Sequence, residues 1–213
     1  MTPVTNEPPK AVVIDSALLN RPPKLRNLMF RLGEAEKKGN VEMAVTTIES
    51  IRSLPGKPAA DIDDKLARRL GALNLRRLFE LRNAQWVKQV TVGRGGSASR
   101  IAAENGSTLG SLAKLNGGDV GKIRLGAKLY VMDHPRFNLV LLRRARIADL
   151  TLNGKFFKRY DLQGEIKAKN GTYEIPGRRK TLWDGFGAVF RKEDRAELDM
   201  LLPTGAPVVV SDL

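Results

Sequence analysis

The sequence predicts an α+β protein with an N-terminal helical hairpin or bundle, a small β-α-α-β unit, and a C-terminal, mostly antiparallel β domain. Three observations predict it. Apolar residues recur at i, i+3, i+4 and i+7 through residues 24–83, beginning with Leu25, Leu28, Met29 and Leu32. Residues 86–132 then pass from Val- and Thr-rich alternation to two short capped apolar runs and back. From residue 134 onward most segments alternate, and Asn153-Gly154 stands between two of them as a two-residue hairpin turn.

The expected domains are a tether over 1–23, a helical segment over 24–85, the β-α-α-β unit over 86–133 and the β domain over 134–213. Pro3, Pro8, Pro9, Pro22 and Pro23 keep the tether out of helix and sheet. The first helix is predicted to stop at Gly39-Asn40. A second, over 41–54, carries Ala44, Val45, Ile48 and Ile51 and is broken at Pro55-Gly56-Lys57-Pro58. A third opens near Asp61, Asp63 and Asp64, whose charge suits a helix N-terminus, and continues through Leu66, Leu70, Leu73, Leu78 and Leu81. The hairpin around Gly39-Asn40 resembles a single tetratricopeptide-like unit. One such unit makes a packing domain rather than a solenoid, although it offers a face for a protein partner.

In the next unit Val87–Val92 reads as a strand, and Ser97 and Thr108 as the N-caps of two helices. Asn105-Gly106 and Asn116-Gly117-Gly118 end those helices, and Ile123–Leu125 with Lys128–Met132 read as the closing strand. In the last domain the expected strands are 137–142, 147–152, 155–162, 171–175 and 207–211. A helix with Ala196, Leu198 and Leu201 precedes the final strand.

Composition narrows the chemistry. The 213 residues contain no cysteine and one histidine, His134. That excludes disulfides, thiolate nucleophiles, iron–sulfur clusters, cysteine zinc sites and multi-histidine metal sites. His134, next to Pro135 at a domain junction, reads as a linker residue, and no cofactor is expected. No apolar run reaches the ~18 residues of a membrane span. The net charge of +14 favours anionic partners. It divides as +5, +4 and +5 over residues 1–85, 86–133 and 134–213, an even spread that disfavours a dedicated nucleic-acid element. Lys167, Lys169, Arg178, Arg179 and Lys180, with Tyr173 and Trp183 nearby, form a basic stretch interleaved with aromatics.

Residues Val90–Ala102, Thr108–Gly117 and Ile123–Val131 together resemble a LysM domain in its own order. The resemblance covers about a fifth of the chain. It implies binding of N-acetylglucosamine-containing glycans such as peptidoglycan. The sugar would lie between two loops, Gly95, Gly96, Ser97 and Ala98 in one, and Asn116, Gly117, Gly118, Asp119 and Val120 in the other. Small residues let a sugar approach the backbone, whose amides and carbonyls then bond its acetamide and hydroxyls. Arg94 replaces the family's usual proline and Gly96 its usual aspartate.

Residues Leu150–Tyr160, Asn170–Ile175 and Glu193–Val210 are similar to parts of the L,D-transpeptidase catalytic domain. Those enzymes place Ser-His-Gly-Cys before the closing helix, so that histidine activates a cysteine nucleophile. The matching residues here are Gly185-Phe186-Gly187-Ala188, and only 11 residues separate Ile175 from Gly187. The resemblance therefore implies a degenerate, non-catalytic domain in a cell-envelope protein. No basic segment followed by an apolar one marks a signal peptide, so a periplasmic or envelope location implies one already removed. The alternatives are a nucleic-acid-associated protein on a LysM-like scaffold and, less favoured, a remodelled L,D-transpeptidase.

Overall fold

The computed structural model describes residues 22–55, 59–176, 186 and 190–212. The tether up to residue 21, the break at 56–58, Arg178, Arg179, Lys180, Trp183, Gly185, Gly187 and Ala188 lie outside the described residues. The protein is mixed α+β, and its chain forms two compact units that divide between Leu73 and Asn74.

The first unit holds α1 (Pro23–Lys37), α2 (Val41–Arg52) and the first part of α3 (Ala60–Phe79). Pro23, read as the end of the tether, is instead the first residue of α1, where a missing amide hydrogen leaves no bond unmade. Gly39 takes φ +63° and Asn40 caps α2, accepting from the Met43 amide at 3.0 Å. Ala44, Val45, Ile48 and Ile51 are buried, as are Leu25 and Leu32 of α1. Phe30 stays 62% exposed.

The second unit begins inside α3 and runs to the end of the chain. Strand β1 (Val87–Thr91) pairs antiparallel with β2 (Lys128–Met132). Between them lie α4 (Ala98–Glu104) and α5 (Leu109–Leu115). The hydroxyls of Ser97 and Thr108 accept from the amides of Arg100 and Ser111, capping both helices. Ile123–Leu125 are not a strand. The Ala127 amide closes a turn onto the Arg124 carbonyl, and Gly126 takes φ +80°, so the ladder stops at Val92. Val92, Ala98, Ile101, Ala102, Leu112, Val120, Leu129 and Val131 form a small core of their own.

The remaining strands are β3 (Phe137–Leu142), β4 (Ile147–Leu152), β5 (Lys155–Asp161), β6 (Gly171–Glu174) and β7 (Pro207–Ser211). They form one sheet in the order β5-β4-β3-β7-β6, and helix α6 (Lys192–Leu201) precedes β7. The β3–β7 pair is parallel and every other pair antiparallel. Asn153 and Gly154 at φ 53° and 79° make the β4–β5 turn, and a bulge interrupts that pair between Leu150 and Thr151. Phe137, Leu139, Leu141, Ala148, Leu150, Leu152, Val208 and Val210 alternate onto one face. There they pack with Leu198 and Leu201 of α6, and with Leu78, Val87, Leu115 and Met132 from the segments before the sheet.

Candidate functional site

The two loops singled out by sequence are held together from beneath. Ala98 at the end of the first and Val120 in the second are both buried in the small core of the β-α-α-β unit. Their side chains therefore anchor the loops, and the exposed surface comes from the residues between. Gly95, Ser97, Gly117, Gly118 and Asp119 are exposed, and Gly96 is half-buried. Gly95, Gly117 and Gly118 take φ of 68°, 85° and 116°, a region that penalises a β-carbon. At Gly96 a β-carbon would stand 3.0 Å from the Gly93 carbonyl oxygen, so that position is closed to a larger side chain without a shift of the loop.

The polar side chains of the loops are largely engaged in the fold. Ser97 caps α4 and lies 3.2 Å from the Ser99 hydroxyl. Asp119 Oδ1 accepts from the Gly121 amide at 2.7 Å. The Asn116 amide donates to the carbonyls of Leu112 and Tyr130, both at 2.7 Å, and its oxygen accepts from the Tyr130 amide at 2.9 Å. Asn116 thus serves as a side-chain pin between α5 and β2, and what these loops offer a ligand is chiefly backbone. Leu125, 66% exposed two residues before Ala127, adds an apolar surface that the sequence reading did not include.

In the C-terminal domain Phe186 is buried and meets Tyr173 edge-on at 5.0 Å. Its carbonyl accepts from the Lys167 amide. Tyr160 is 1% exposed and donates to Glu197 Oε1 at 2.7 Å, while Lys158 Nζ pairs with the same oxygen at 2.6 Å. Burial and the Glu197 charge push the Tyr160 hydroxyl well above its ordinary range, so it stays a donor. The three groups satisfy one another at the margin of the core, with Lys158 and Glu197 half-buried. His134 takes φ 44°, is exposed, and lies 3.0 Å from Asp133 Oδ1. It borders a cavity of about 770 Å³ at one end of the sheet, which Arg136, Asn138, Thr151 and Pro203–Pro207 also line. Among the described residues no helix is long and apolar enough to cross a membrane.

No protein-family model matches the chain, and no curated protein matches it.

Proposed function

We propose that the chain is a non-catalytic binder of N-acetylglucosamine-containing glycan, peptidoglycan above all, that serves as an anchor or scaffold in the cell envelope. In this reading residues 86–133 are a LysM domain and residues 134–213 a reduced L,D-transpeptidase domain that has lost its chemistry. The helical hairpin of residues 24–54 is a dock for a protein partner.

The observation that carries the reading is the pairing of two glycine-rich loops over one small core, fixed through Ala98 and Val120, with backbone exposed at Gly95, Gly117 and Gly118. A ligand read through backbone amides and carbonyls must have a close, unhindered approach, and glycine at these positions provides it. At the position that the L,D-transpeptidase resemblance gives to the catalytic histidine, Phe186 is a core side chain.

The test is co-sedimentation with purified peptidoglycan sacculi at about 0.3 M salt, where charges are screened beyond roughly 6 Å. Retention in the pellet, released by soluble N-acetylglucosamine oligomers, is expected. Pelleting that survives only at low salt and ignores the oligomers would replace this reading with binding by charge alone.

A further inference from the structure

We infer that the glycan taken by these loops is a carboxylate-bearing one, whose acid groups are read by Arg94, Arg124, Lys122 and Lys128. The inference rests on the glycan-binding reading above and adds the chemical class of the ligand.

The four cations flank the end of the β1–β2 ladder. The Val92 amide donates to the Ala127 carbonyl and the Gly126 amide to the Val92 carbonyl, both at 2.9 Å. Arg94 lies two residues past that exchange on one strand, and Arg124 two residues before it on the other. Lys128 faces Thr91 across the last full ladder pair. Lys122 follows the Asp119 turn into the same end. All four are exposed, and none has a side-chain hydrogen bond or ion pair among the described residues.

The remaining cations of residues 86–133 are partnered. Lys88 pairs with Asp133 and Arg100 with Glu104, each at 2.7 Å, and Lys114 lies over the Phe79 ring. The third acid of this stretch, Asp119, is turned onto the Gly121 amide of its own loop. The acids are thus engaged elsewhere, and the end that carries the candidate loops keeps an unbalanced positive field.

A neutral sugar chain gains nothing from that field, because its acetamide and hydroxyls are served by backbone groups. A chain with a carboxylate on alternate sugars places a fixed negative charge at a regular spacing along the same track. Arginine offers a planar, two-point match to a carboxylate. Leu125, exposed between Arg124 and Gly126, covers the apolar face of a ring beside it.

The test measures binding of the full chain to two tetramers by titration calorimetry. One is N-acetylglucosamine alone, and the other alternates it with N-acetylmuramic acid bearing a free carboxylate. The carboxylated tetramer is expected to bind about tenfold tighter at low ionic strength, the sum of several exposed charge contacts. The gap should shrink as salt shortens the Debye length. An Arg94→Gln/Arg124→Gln variant should keep its affinity for the neutral tetramer and lose the preference. Equal affinity of the unsubstituted protein for both tetramers overturns this inference alone, as does a preference that survives in the variant. Binding of neither overturns the glycan reading and this one with it. Displacement of the carboxylated tetramer by single-stranded DNA but not by the neutral tetramer overturns it in favour of a polyphosphate partner.

Discussion

Asn116 and Tyr130 bond to each other as two strand residues would, except that one partner is a side chain. The Asn116 amide donates to the Tyr130 carbonyl at 2.7 Å, and the Tyr130 amide donates back to the Asn116 oxygen at 2.9 Å. A third bond, to the Leu112 carbonyl, ties the same amide to the last turn of α5. One residue thus joins helix, loop and strand at the base of the candidate site.

Replacing Asn116 by alanine should therefore act first on stability. It strips the half-buried Tyr130 backbone of two partners, and an unmade buried hydrogen bond costs about 1–3 kcal/mol. Asn116→Asp keeps the acceptor but loses the donor, and should cost a similar amount. Urea unfolding measures both. An alanine variant as stable as the parent would mean that the pin is unimportant. A loss of glycan binding in this variant is informative only beside its unfolding curve.

A second contact docks the β-α-α-β unit onto the sheet domain. The Thr108 and Ser111 hydroxyls both donate to the Met200 carbonyl near the end of α6, Ser111 at 2.6 Å. Between them Gly110 meets Met200 so closely that a β-carbon would stand 3.2 Å from its Cγ. Gly110→Leu should force the two helices apart and cost about 1–3 kcal/mol, the usual range for overpacking. Thr108→Val/Ser111→Ala should cost a comparable amount without added bulk. The expected sign is a lowered thermal midpoint for both. If Gly110→Leu leaves it unchanged, α5 and α6 do not rely on close approach.

Local chemistry made much of this fold legible. Asn153-Gly154 demands positive φ at both positions, and only a tight hairpin supplies it. Ser97 and Thr108 are caps because their hydroxyls reach the amides three residues on, a rule that needs no tertiary context. The parallel β3–β7 pair could not be read this way, since strand order depends on contacts across some seventy residues of chain. Ile123–Leu125 looked like a strand because its apolar residues suit one, yet β1 has ended and no partner backbone remains. The loops of the candidate site were legible as glycine-rich turns. The inward turn of Ala98, Val120 and Asn116 was not, because composition does not say which small or polar side chains the core and backbone will claim.

Asn74 illustrates the same limit. It reads as one polar residue in a long helix, yet it is 2% exposed and its amide donates to the Phe157 carbonyl at 2.9 Å. Strand β5 is at the edge of the sheet, where carbonyls lack a neighbouring strand. The Asn74 side chain supplies a donor there, and Arg77 in turn donates to its oxygen. Asn74→Leu should leave that buried carbonyl without its donor and cost about 1–3 kcal/mol. Hydrogen exchange should quicken first along β5. Unchanged protection along β5 would show that this edge is held by other means.

The last prediction concerns acid. Asp212 accepts from the Asn170 amide at 2.5 Å and from Arg143 at 2.6 Å, so it ties the end of β7 to the β3–β4 turn and to the segment before β6. The Asn170 hydrogen bond first, and Arg143 second, hold its carboxyl below the ordinary value of 3.8. A carboxylate depressed in the folded state contributes stability that is present above the unfolded value and lost as pH falls through the folded one. Glu36 behaves oppositely. Burial outweighs the charge of Arg69 and raises it, so its contribution is present below the ordinary carboxylate value of 4.5 and is lost as pH rises through the folded value. The difference between parent and Asp212→Asn isolates the first effect. Both should unfold alike in urea at acid pH once Asp212 is protonated, and the parent should gain stability over the variant as pH rises through the folded value toward 3.8, levelling off above it. A stability difference that does not change across that range would show that Asp212 bears no charge-dependent tie.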